Sequence, residues 1–209
     1  MKKSYEINMC EGPILGKVLI FSIPLMLSGI LQLLFNAADV IVVGRFAGSQ
    51  SLAAVGSTSA LINLLINVFM GFSVGVNVLV ARYYGGRKER DVSETVHTAV
   101  TLSLVCGLIL VAVGLALTRP LLELMGTPDD VIDKAVLYMQ IYFLGMPFFM
   151  LYDFGASILR SIGDTRRPMY ALIVSGVVNV ILNLLFVVVF RMGVAGAGLA
   201  TVGANAVSA

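Results

Sequence analysis

The chain has 209 residues, 58% of them apolar and 12% charged, with a mean hydropathy of +0.96. A soluble domain carries about 25% charged residues, so half of the usual charged surface is missing and water alone cannot solvate this protein. A net charge of +2, with Lys and Arg placed at the ends of apolar runs, leaves no basic face for nucleic acid.

Six stretches contain no Asp, Glu, Lys or Arg: residues 18–38, 46–81, 95–118, 135–152, 168–190 and 192–209. Each is long enough to cross about 30 Å of hydrocarbon as a helix rising about 1.5 Å per residue. The reading is an all-α membrane protein with six transmembrane helices, at approximately 15–44, 51–81, 93–117, 129–153, 167–190 and 193–209 within one domain spanning 1–209. A transmembrane barrel would need segments of alternating polarity, whereas Val177 to Phe190 is apolar nearly throughout. The first run is too long for a signal-peptide core and lacks a small-x-small cleavage site.

The first span carries Pro24 at its middle, where a missing N–H permits a kink. Gln32, Asn36 and Asp39 follow at spacings of four and three, which places them on one helical face that is expected to point into the bundle. Asp39 stands about six residues, or about 9 Å, from the outer end of the span. A carboxylate at that depth must face a polar cavity, pair with a partner such as Arg45, or hold a proton.

In the second span, Asn63, Asn67 and Asn77 either line a passage or bond across helices, and Arg82-Tyr83-Tyr84 closes it as an interfacial belt. The third begins one turn before His97, an interfacial histidine near Glu94, and encloses Cys106, which with Cys10 makes no disulfide or metal framework. Gly126-Thr127-Pro128-Asp129 starts the fourth span, in which Pro147 beside Gly145 permits a second bend. Asp153, before Arg160, is left open between an interfacial and a functional role.

Gly163-Asp164-Thr165-Arg166-Arg167-Pro168 leads into the fifth span, with Pro168 in the first turn where an absent N–H costs nothing. That span carries a polar stripe, Ser175, Asn179 and Asn183, at strict i+4 spacing. Asn183 lies about 12 Å and Asn179 about 18 Å from the outer end at Arg191, while Thr201 on the returning sixth span is about 15 Å deep. Asp39, Asn179, Asn183 and Thr201 therefore come to overlapping depths. One carboxylate, two amide oxygens and a hydroxyl suit a hard monovalent cation or a shuttled proton and offer no soft ligand for a transition metal. The sixth run is still apolar at Ala209, so the last helix is expected to be incomplete.

Ten Lys and Arg fall on one set of ends (Lys2, Lys3, Lys17, Arg82, Arg87, Lys88, Arg90, Arg160, Arg166, Arg167) and four on the other (Arg45, Arg119, Lys134, Arg191). The positive-inside rule then puts the N-terminus in the cytoplasm. No Ser/His/Asp set, paired histidines or phosphate-cradling glycine loop is present, so an enzyme is not expected.

The chain resembles the N-terminal half of a multidrug and toxic compound extrusion (MATE) transporter, of the MOP superfamily. The matching residues are Pro24, Asn36-Ala37-Ala38-Asp39 and Val42-Val43-Gly44; Leu52-Ala53-Ala54-Val55-Gly56; Ala81-Arg82-Tyr83-Tyr84-Gly85-Gly86; Arg160-Ser161-Ile162-Gly163-Asp164-Thr165-Arg166-Arg167-Pro168; Asn179 to Asn183; and Gly193-Val194-Ala195-Gly196-Ala197-Gly198-Leu199-Ala200-Thr201. The resemblance implies a multi-pass antiporter of the plasma (inner) membrane that exports organic, often cationic, small molecules in exchange for Na+ or H+, without a cofactor. It implies two six-helix lobes that alternate access by rocking, so that a C-terminal lobe, missing here, is needed for transport. It also implies that Asp39, Asn179, Asn183 and Thr201 form the cation or proton site, with Gln32, Asn36, Ser175 and Asn205 as cavity lining. Asn183 stands where many members have Asp, which weakens cation affinity and leaves Asp39 as the only proton carrier there; Asn205 replaces a common Gln. Three other readings stay open: a lipid-linked oligosaccharide flippase of related fold, although the spans hold no Arg or Lys for a pyrophosphate; a non-transporting remnant; and a half-transporter that pairs with a second copy.

Overall fold

Long apolar runs broken by glycine and charge fold here into helices joined by connections of a few residues. A computed structural model describes residues 14–209; Lys2, Lys3 and Cys10 lie outside them. The helices are α1 (Ile14–Phe46), α2 (Ser49–Gly85), α3 (Glu89–Leu124), α4 (Asp129–Leu144), α5 (Met146–Ser161), α6 (Arg166–Asn183) and α7 (Gly193–Ser208), and a π-helical segment, Leu184–Val189, continues α6. Among the described residues there is no strand.

Each joint has a local cause. Gly48 turns the chain between α1 and α2 at φ 86, and Gly126 ends α3 at φ 70, a region open to glycine. At the end of α2 the reversal falls on Arg87 at φ 55, one residue beyond the Gly85-Gly86 pair. There the Lys88 N–H reaches Tyr83 O and the Arg87 N–H reaches Tyr84 O, both at 3.0 Å, the double bond of a Schellman ending. Asp129 and Asp130 occupy the first turn of α4, where the helix dipole favours an acid. Buried Asp164 receives the N–H groups of Arg166 and Arg167, each at 3.1 Å, and so caps α6.

α4 and α5 meet at 49°. Pro147, at the start of α5, has no N–H to return to the preceding turn, and Gly145 takes the break. The pair counts as one bent span. With α1, α2, α3 and α6 plus the π segment, it gives five spans, and α7, of 16 residues, rises about 24 Å as a sixth, shorter element. The chain is an all-α, multi-pass membrane protein.

The core lies among α2, α3, α4 and α5, around Leu110, Met139, Phe143, Met146, Met150 and Phe154, all essentially inaccessible. Gly107 lets α3 approach the Pro147 backbone so closely that a Cβ there would collide with it. α1 stands to one side and packs chiefly on α6, where Gly176 receives the Phe35 ring in space that a side chain would fill. Large apolar side chains such as Leu15, Leu33, Leu64 and Leu108 face outward, as hydrocarbon rather than water requires.

Candidate ion-coupling site between α1 and α6

The packed stripe of α1 runs through buried Pro24, Ser28 and Val42 and half-buried Leu31, Phe35 and Asp39, at steps of three and four. It carries Asp39 against α6. There the Asn183 amide nitrogen donates to Asp39 Oδ1 at 2.6 Å and to Asn179 Oδ1 at 3.2 Å. A carboxylate only accepts, so the nitrogen of Asn183 must face it. The Asn183 oxygen consequently points away, buried and without a hydrogen-bond partner.

Asn179 and Asn183 are buried at 6% and 1% exposure, whereas Asp39 is half-buried. Among the described residues no ion pair involves Asp39. Arg45, its neighbour along α1, instead lines a cavity at the helix end with Arg191. The carboxylate is therefore held by the Asn183 amide, which Asn179 also engages.

The remaining candidates are placed less uniformly. Thr201 stands on α7 with its hydroxyl donating to Ala197 O at 3.1 Å, within its own helix; it makes no bond to the other three. Gln32 and Asn36 are exposed, which corrects the expectation that their face enters the bundle. Each follows a stripe residue, Leu31 or Phe35, by one position, and one residue turns a helix by about 100°. Ser175 is buried and bonds Leu172 O at 3.1 Å on its own helix, and Asn205 is half-buried on α7. Pro24 lies within an unbroken α1, its carbonyl taken by the Ser28 hydroxyl at 2.8 Å, while Pro147 adjoins the α4–α5 break.

Two residues were missed by reading the sequence. Tyr138 and Tyr142, one turn apart on α4 and buried or half-buried, lie within electrostatic range of Asp39. Their i+4 spacing was visible, yet in an apolar run of that kind it reads as packing.

The Asp39 carboxylate, the Asn179 and Asn183 amides and the unpartnered Asn183 oxygen form an oxygen-rich cluster that suits a proton or a small hard cation. The MatE family model matches residues 24–185. Two Bacillus subtilis relatives are similar: a probable multidrug resistance protein, YoeA, at 36% identity over 88% of this chain and 40% of its own length, and another, YpnP, at 30% identity over 96% and 44%. A crystal structure of MATE in the bent conformation matches with TM-score 0.86 and 29% identity, covering 92% of this chain and 43% of that one. The straight conformation matches with TM-score 0.85. The chain thus spans about two fifths of the length of the curated relatives it matches, and on the family match, the two relatives and the shared fold it belongs to the MatE family of multidrug transporters.

Proposed function

We propose that this chain is the N-terminal half of an antiporter that exports drugs or organic cations by alternating access, driven by Na+ or H+ entering at Asp39. The observation that carries the reading is the Asp39–Asn183–Asn179 cluster, in which a membrane-embedded carboxylate has an amide partner and, among the described residues, no ion pair. Such a carboxylate is costly in hydrocarbon. Binding a proton or a cation removes the cost, so the state of Asp39 favours one lobe conformation over another. The unpartnered Asn183 oxygen and the Thr201 hydroxyl are the further ligands for a cation.

Asp39, Asn179, Asn183 and Thr201 have the coupling role in this proposal, Gln32, Asn36, Ser175 and Asn205 line the substrate path, and Pro24, where α1 can bend, and the bend at Pro147 accommodate the motion. Relatives solved in bent and straight conformations match this chain almost equally well, which supports a lobe that works in more than one shape. The basic residues at the α2–α3 and α5–α6 connections support a cytoplasmic N-terminus in the plasma (inner) membrane. A second lobe completes the substrate cavity.

The test is drug efflux by cells expressing a two-lobed protein that carries this chain as its N-terminal half, with Asp39→Asn. Loss of efflux at normal expression is expected. Efflux equal to the parent's would overturn the role of Asp39.

A further inference from the structure

Four basic residues lie at the end of the lobe where α1 and the π segment stop: Arg45, Arg119, Lys134 and Arg191. Two of them are answered within the chain. Arg119 pairs with Glu123 at 3.1 Å and with Asp133 at 3.7 Å, and Lys134 donates to Gln50 Oε1 at 2.6 Å. Arg45 and Arg191 make no hydrogen bond or ion pair through their side chains among the described residues. Both line one cavity of about 510 Å³.

We propose that Arg45 and Arg191 form a binding site for the phosphate group of an anionic lipid.

Charge selects an anion. No acid lines the cavity; apart from the arginines its wall is Phe46, Ala47, Val187, Val188 and Gly193. Two guanidiniums that share such a space repel each other, and an anion held there replaces the repulsion with two attractions. Gly193 opens α7, whose N-terminus has no capping side chain, so the positive end of that helix dipole adds to the same field. The forked N–H donors of arginine match two oxygens of one phosphate, a geometry that an ammonium does not offer.

The backbone points the same way. Arg191 follows the π segment at φ 55, and the next N–H, that of Met192, reaches back to Phe186 O at 2.9 Å. Turn chemistry alone would place glycine at this left-handed position, so the Arg191 side chain is carried there at a cost to the fold. Arg45 lies in the last turn of α1, where the helix dipole favours a cation without occupying its donors.

The surroundings select a lipid over a free ion. Ile41 and Phe46 of α1, with Val189 and Phe190 after Asn183, are large apolar side chains turned outward, a surface on which an acyl chain can lie beside the cavity. A bilayer interface also concentrates phosphodiesters, and each basic residue near it strengthens the attraction to anionic lipid. The site is separate from the coupling cluster: Asp39 stands six residues, about 9 Å, back along α1, with its carboxylate engaged by Asn183.

Native mass spectrometry of the chain in detergent, with phosphatidylglycerol or phosphatidylcholine added, tests this. One phosphatidylglycerol is expected to bind ahead of the rest. Arg45→Gln combined with Arg191→Gln is expected to weaken it by about tenfold or more, whereas Arg87→Gln combined with Arg166→Gln, which removes as much charge from the opposite end, leaves it in place. Equal losses from the two pairs would reduce the effect to net charge and overturn the proposal, as would phosphatidylcholine bound as tightly as phosphatidylglycerol. In lipid-free detergent, millimolar inorganic phosphate is expected to raise the thermal unfolding midpoint less than phosphatidylglycerol does; an equal rise overturns the assignment to a lipid. If the Arg45, Arg191 pair of substitutions does not fold, Arg45→Gln alone is expected to weaken binding by about threefold or more, and unchanged binding overturns the proposal.

Discussion

The Asn183 amide donates to the Asp39 carboxylate at 2.6 Å, across 144 positions of sequence. It is the side-chain bond that ties α1, which otherwise rests at the edge of the bundle, to the end of α6. A bond to an ionised acceptor contributes about 1.5–3 kcal/mol in proteins, and somewhat less between membrane helices. Asn183→Leu is therefore expected to destabilise the lobe by about 1–3 kcal/mol, with Asp39→Leu in the same background adding little. Equal and additive losses in a double-mutant cycle, measured by reversible unfolding in mixed micelles, would show that the two side chains are not coupled.

Asn183→Asp would place a second carboxyl where the amide now donates. Two adjacent carboxylates repel unless a proton or cation lies between them. The variant is expected to bind Na+ about tenfold more tightly than the parent, equivalent to about 1.4 kcal/mol, by calorimetry on the chain in nanodiscs at neutral pH. Unchanged affinity would argue that Asn183 does not face the ion.

The α1–α6 contact also depends on an absence of side chain. Because the Phe35 ring fills the space of a Cβ at Gly176, Gly176→Ala should cost about 1–3 kcal/mol through overpacking. Phe35→Leu should recover part of that loss in the double variant, and thermal unfolding of the four proteins would measure it.

The end of α2 offers a gain. Arg87 occupies the left-handed position of a Schellman ending at φ 55, a conformation that costs a side-chain-bearing residue about 1–2 kcal/mol. Arg87→Gly is expected to stabilise the lobe by about 0.5–1 kcal/mol, after the greater unfolded-state freedom of glycine is discounted. A lower midpoint in chemical denaturation would refute the assignment.

At Gly145 the test is geometric. Pro147→Ala restores an N–H that can bond back to Phe143 O, so the 49° angle between α4 and α5 should open. For spin labels at Asp133 and Ser161, full straightening lengthens the distance by up to about 4 Å, given a rise of about 1.5 Å per residue. An unchanged distance distribution would place the cause of the bend in the packing of Gly107 against Pro147.

What could be read from the chain beforehand followed from solvent. Hydrocarbon tolerates so little charge that its absence marks the helices, and counting residues inward from Arg191 and Arg45 put Asp39, Asn179, Asn183 and Thr201 at common depths. Three of the four touch. Depth fixes position along a helix but not around it, which is why Gln32 and Asn36, one step off the packed stripe, proved exposed, and why Thr201 turned to its own backbone. Tyr138 and Tyr142 stayed hidden because a phenol is mostly ring. Their relation to Asp39 is tertiary, set by the packing of α4 and α7, and no local pattern announces it. The turn at Arg87 escaped for a different reason: Gly85-Gly86 offers two cheaper residues, and the choice of the third is settled by which pair of carbonyls the following N–H groups can reach.

The π-helical segment after Asn183 has a bearing on insertions and deletions. A π turn accommodates an extra residue that an α turn would not, so Leu184–Val189 holds slack in the chain. Shortening this segment by one residue should convert it to ordinary helix and leave Asn179 and Asn183 where they are. The same deletion between Arg166 and Asn179 would swing both amides about 100° away from Asp39. Length variation in this helix is therefore tolerable on one side of Asn183 only.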